Sequence, residues 1–149
     1  MIVHTPLIEM KYFILSKNKI MTQEEKYLLL KDLSARLPYG VKVEYENKIF
    51  DVEYVCPMYE EVKLDIPETW TIDVSEVKPY LFPLSSMPKE QQKEFFDQLI
   101  ELELKVMNKE IHPTQVTAFG VDFHNKNHFD WRDLIPKGLA IDATGKNIY

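Results

Sequence analysis

The stretch Val41-Lys-Val-Glu-Tyr-Glu-Asn-Lys-Ile-Phe-Asp-Val-Glu-Tyr-Val-Cys56 decides the fold class. Val41, Val43 and Tyr45 alternate with Lys42 and Glu44, the period of two that a half-buried strand requires. Glu46-Asn47-Lys48 can turn the chain. Ile49–Cys56 then reads as a second strand, with Ile49, Asp51, Glu53 and Val55 on one face and Phe50, Val52, Tyr54 and Cys56 on the other. Two more short strands, 61–66 and 69–74, follow on either side of Pro67. Short strands joined by short loops predict a small, bent antiparallel sheet. An SH3-like barrel is one way for such strands to curl their edges out of reach.

Upstream, Thr22-Gln-Glu-Glu25 is a capping box, in which the Thr hydroxyl and the Glu carboxylate each satisfy a free backbone amide. Leu29, Leu30, Leu33 and Leu37 recur at helical spacing, with Lys26, Lys31 and Arg36 placed outside. Pro38 stops the run, so the spacing predicts a helix over 23–37. Downstream, Lys78-Pro-Tyr-Leu-Phe-Pro-Leu84 carries two prolines and reads as an extended connector across the core. Ser85 and Ser86 can cap a second helix over 88–108. Phe95, Leu99, Leu102 and Val106 form its stripe, widened by Phe96, Ile100 and Met107. Beyond it, 115–119 reads as a strand, 121–128 as one or two helical turns, and Asp130 as the cap of a short turn through Trp131–Ile135.

These elements predict one α+β domain over 21–149: a small bent antiparallel sheet packed with two main helices and an aromatic C-terminal segment. Residues 1–20 stand apart as an N-terminal extension or edge strand, with Tyr12–Leu15 as the strand candidate. A chain of 149 residues with 45% hydrophobic and 28% charged side chains has the apolar surface for one packed core.

Charge narrows the partners. Between Glu44 and Glu76 ten acidic side chains face only Lys48 and Lys63, a net −8 against −6 for the whole chain. Affinity for nucleic acid comes largely from neutralising phosphates, so this sheet argues against that partner. Residues 1–43 carry +3, which leaves a modest basic patch at Lys26, Lys31 and Arg36. The acidic face is read as a solvated surface, a dock for a basic partner or a DNA mimic. Cys56 is the only cysteine, so no intramolecular disulfide forms, and a reducing cytoplasm is the expected compartment. No uncharged apolar run approaches the roughly 18 residues of a membrane helix. Gly40, Gly120, Gly138 and Gly145 build no phosphate-binding loop, and no nucleophile elbow occurs, so no cofactor is expected.

Three segments carry a resemblance. Leu30-Lys-Asp-Leu-Ser-Ala-Arg-Leu-Pro-Tyr-Gly-Val-Lys-Val43, Val77-Lys-Pro-Tyr-Leu-Phe-Pro-Leu-Ser-Ser-Met87 and His128-Phe-Asp-Trp-Arg-Asp-Leu-Ile-Pro-Lys-Gly-Leu-Ala-Ile141 occur in this order. Together they resemble a family of uncharacterised small proteins of gut Bacteroidales and their phages and prophages. The resemblance covers 21–149, and Pro88 stands where that family's pattern would have a polar cap residue. It implies a bacterial or phage cytoplasm and an accessory role, and it transfers no catalytic residue.

The candidate chemistry lies near the end of the chain. His124 and His128 are four residues apart and would share one face of a helix, as two zinc ligands do. Asp122, Asp130 and His112 could complete a metal or acid–base site. Asn125 stands where zinc proteases carry Glu, so no bound metal is expected. The bland alternative is that His128 and Asp130 shape a tight aromatic turn. Trp131 and Arg132 are of the types favoured at interfaces, or else Trp131 folds back on the core while Arg132 pairs with a carboxylate. The sequence thus favours a non-enzymatic protein-binding or accessory protein with an unidentified protein partner. The alternative is a small metal-dependent or acid–base hydrolase using His124, His128 and Asp130.

Overall fold

The computed structural model describes residues 20–67 and 71–149. The Tyr12–Leu15 strand candidate and residues 68–70, at the start of the expected fourth strand, lie outside that range.

Helix α1 spans Gln23–Arg36. Thr22 Oγ1 accepts from the Glu25 amide at 3.1 Å, and the Thr22 amide donates back to Glu25 Oε1 at 3.3 Å, so the capping box is complete. Thr22→Ala removes one half of that exchange. It is expected to lower stability by about 1 kcal/mol, read from urea unfolding. The helix ends in a tight 3-10 turn, Leu37–Tyr39, as Pro38 requires.

Strand β1 (Lys42–Tyr45) pairs with β2 (Lys48–Cys56) through Glu46 and Asn47, whose φ values of 49° and 62° suit a two-residue hairpin turn. Strand β3 (Glu61–Leu64) pairs with β2, and β4 (Ile72–Asp73) with β3. The register slips between Val52 and Tyr54. That bulge alters the facial alternation predicted for β2: Val55 packs on the core, while Ile49, predicted to share its face, is exposed.

The sheet runs β4-β3-β2-β1-β5-β6, with β5 at Lys78–Leu81 and β6 at Ile141–Asp142. Here the expectations are corrected twice. The segment expected to be a connector is a strand between β1 and β6. Pro79 is accommodated because β5 changes partners there: Lys78 and Pro79 face β1, and pairing with β6 begins at Tyr80. The β5–β6 pair is parallel, so the sheet is mixed rather than antiparallel, and it is an open row rather than a closed barrel. Parallel neighbours need a long crossover, and two helices supply it.

Helix α2 spans Lys89–Met107 and α3 spans Pro113–Lys126. The strand expected over 115–119 is part of α3. Pro113 sits in the first turn and His112 Nδ1 accepts from the Thr114 amide at 3.2 Å, so a helix starts just before the segment expected to be extended. Packing against α2 overrides that local preference: the Phe95 ring lies 4.6 Å from Phe123 and 5.6 Å from Phe119, centroid to centroid. At the base of this hairpin the Phe82 amide donates to the His128 carbonyl and the Asp130 amide to the Phe82 carbonyl, both at 2.8 Å.

The core lies between α1 and the sheet. Leu29, Leu30 and Leu33 meet Val41, Val43, Val52, Val62, Leu64, Ile72, Val74, Val77 and Leu81, closed by Leu134, Leu139 and Ala140. Neither α2 nor α3 contributes a residue to it.

Candidate functional site

The His/Asp candidates sit at the end of α3, and the way that helix stops determines what they can do. The His128 amide donates to the Asn125 carbonyl at 3.2 Å and the Phe129 amide to the His124 carbonyl at 2.9 Å. His128 itself is left-handed, with φ of 61°. This is a Schellman stop with a histidine where glycine is usual, and Phe129 packs back on Phe123 and His124 as that motif prefers. The helix therefore ends at Lys126, and His124 and His128 do not share a helical face as the spacing had suggested.

Their polar atoms are placed separately. His124 Nδ1 lies within hydrogen-bonding reach of the Gly120 carbonyl, which makes that nitrogen the protonated one, and the ring packs on Phe95. Asp130 is buried. Its Oδ1 accepts from the Leu134 amide and its Oδ2 from the Ile135 amide, each at 2.8 Å, so it caps the turn that the sequence assigned to it. His128 is half-buried, with Nδ1 fully enclosed and without a partner. Its ring stacks on Tyr149 at 3.5 Å between centroids and 10° between planes. Burial, with the nearby Arg36 and Lys42 charges, pushes its pKa down to about 4, so it is neutral at pH 7. Burial also raises the Tyr149 phenol to about 12, opposed by the Lys42 amide that donates to its oxygen at 3.2 Å. That hydroxyl in turn donates to the Tyr80 carbonyl at 2.9 Å.

His112 is spent on capping α3, and Asp122 lies beside Tyr39. Among the described residues no three His, Cys, Asp or Glu side chains converge as a metal site would need. A cleft of about 330 Å³ is lined by Tyr39, Gln91, Glu94, Phe119 and Asp122 among others, and none of His124, His128 and Asp130 lines it.

The interface candidates Trp131 and Arg132 point inward to a network that the sequence reading missed. Trp131 Nε1 donates to Oδ1 of the buried Asn125 at 2.9 Å, and Arg132 stacks on the Trp131 ring at 3.9 Å. Arg132 also donates to Asp32 Oδ1 at 2.9 Å, the carboxylate partner that the sequence could not name. Asp32 Oδ2 accepts from Arg36 Nε at 2.8 Å, and Arg36 Nη2 reaches the Phe129 carbonyl at 2.6 Å. Asp32 and Arg36 are both 0% exposed, so Arg36 is not on the outer face where it was expected. It ties α1 to the turn after α3.

This also dismantles the basic patch. Arg36 is interior, and Lys26 bridges Glu60 at 3.3 Å and Asp73 at 3.5 Å, which leaves Lys31 outside alone. Duplex DNA is expected to bind weakly or not at all at physiological salt, in a salt titration with a random-sequence duplex. Sub-micromolar affinity there would reverse the charge argument.

Among the described residues nothing covers one apolar surface. Helix α2 turns Phe95, Leu99, Leu102 and Val106 toward partial burial, but Phe96, Ile100, Leu104 and Met107 are 57%, 59%, 53% and 77% exposed. Their spacing puts all four on one side of the helix. Cys56, half-buried at the end of β2, has no comparable setting.

Comparison of the chain with protein-family models, with curated proteins and with solved structures returned no match. Among the described residues no helix is long and apolar enough to cross a membrane.

Proposed function

We propose that the protein is a non-enzymatic accessory module that works through contacts with another protein, in the cytoplasm of a bacterium or phage-infected cell. The observation that carries this reading is the row Phe96, Ile100, Leu104 and Met107 on α2, apolar, contiguous and uncovered among the described residues. Soluble chains rarely leave such a row open without a partner for it. The phage or prophage setting comes from the resemblance of the three quoted segments. The engagement of both Asp130 carboxylate oxygens in backbone hydrogen bonds adds support, since a hydrolase would need that carboxylate for substrate or water.

The test is site-specific photo-crosslinking in cells. A crosslinker at Met107 is expected to give discrete protein adducts, and one at the equally open Tyr59 (68% exposed) is not. No adduct at Met107, together with a hydrolytic activity of the purified protein lost in His128→Asn, would replace this reading by the enzymatic one.

A further inference from the structure

We infer that the open face of α2 is the docking site for a basic amphipathic helix of a partner protein. The inference rests on the protein-contact reading above and supplies the chemistry of the partner. The face lies along a helix about 28 Å long, from its 19 residues. Phe96, Leu99, Ile100, Glu103, Leu104 and Met107 line a shallow groove of about 350 Å³. A straight apolar track of this kind, with side chains repeating each turn, is the form that receives a helix.

Charge selects which helix. Among the described residues Glu103 is the only charged one that lines the groove, and no Lys or Arg pairs with it. Two of the helix's own cations pair elsewhere, Lys93 with Asp97 at 3.8 Å and Lys105 with Glu101 at 3.3 Å. Five acidic and three basic side chains lie on α2. A partner helix with an apolar face and a flanking Lys or Arg would bury the track and neutralise Glu103 together.

A second copy of this chain fits worse. An antiparallel pair centred on Ile100 sets Phe96 against Leu104, but it also sets Asp97 against Glu103, like against like. Sliding the pair until Lys93 meets Glu103 moves Leu104 onto Gln92 and Met107 onto Lys89. A parallel pair opposes Glu103 to itself. A membrane surface fits worse still, because interfacial helices flank their apolar face with Lys and Arg, and anionic headgroups would repel this one.

The experiment uses the full chain and a fluorescent synthetic Leu/Lys amphipathic helix, with a Leu/Glu helix of the same pattern as its counterpart. The Leu/Lys probe is expected to bind, and Ile100→Asp to weaken it by about tenfold or more, the loss typical of a central contact residue. Ile100 is exposed, so this variant should keep its circular dichroism spectrum. Glu103→Lys should shift preference toward the Leu/Glu probe, whereas Glu76→Lys, the same change of charge in the exposed turn between β4 and β5, should leave binding unaltered. Equal binding by wild type and Ile100→Asp would overturn the inference, and so would an equal effect of Glu76→Lys and Glu103→Lys. Sedimentation as a dimer, or binding to phosphatidylglycerol vesicles, would overturn it too if lost in Ile100→Asp. If Met107 crosslinks a protein in cells while the Leu/Lys probe ignores the groove, protein contact stands and the basic-helix partner falls.

Discussion

Asp32→Ala is expected to destabilise the fold by about 3–5 kcal/mol, the usual result of removing one member of a buried ion pair. Asp32 holds two arginines at once, Arg36 at 2.8 Å and Arg132 at 2.9 Å. Its loss strands the Arg36 guanidinium in a site with 0% exposure, where Nη1 already lacks a partner. The damage comes from the orphaned charge rather than from the attraction lost. Replacing the two members that are fully buried, Asp32→Leu with Arg36→Met, should therefore recover much of the loss. Urea midpoints of the two variants measure this. A cost under about 1 kcal/mol for Asp32→Ala would mean that water reaches Arg36 and the network is not closed.

Acid should weaken the fold through His128. Its folded pKa of about 4 lies below the ordinary value of 6.5, so between those two pH values the unfolded chain binds more protons than the folded one. Stability is then full above pH 6.5 and falls as pH drops toward 4. The decline approaches about 3 kcal/mol, from the size of the shift. His128→Asn separates this from general carboxylate titration, because Asn tolerates the left-handed backbone and keeps the helix stop. Wild type should lose more stability than the variant across that window. Parallel pH profiles for the two proteins would remove His128 from the account.

The sequence was a good guide wherever local physics decides. The capping box and the leucine repeat located α1, the period of two located β1 and β2, and the apolar stripe located α2. It misled where a distant partner decides. Arg36 lies at i+7 from Leu29 and i+3 from Leu33, on the buried stripe itself, but charge suggested the outside. The i,i+4 spacing of Asp32 and Arg36 was the signal available, and it marks surface pairs just as well. Nothing in Ile141-Asp142 announces a strand, because its pairing is made by Tyr80 and Leu81, far back in the chain. The His/Asp candidates were legible as a cluster in sequence. Asp130 was legible as the cap of its turn, but the placement of the histidines was not, since a left-handed residue at His128 turns the two apart.

The pair of hydrogen bonds joining Phe82 to His128 and Asp130 has an architectural consequence. The chain leaves the sheet and returns to it at adjacent points, so everything between is a cassette whose two ends are already stitched together. Its dimensions are decoupled from the sheet. One extra turn in each of α2 and α3 would carry the exposed apolar row about 5.4 Å further out and leave every residue of the main core in place. Reach and foundation can then diverge independently, since the distance between the exposed row and the core is set by the length of this arm alone.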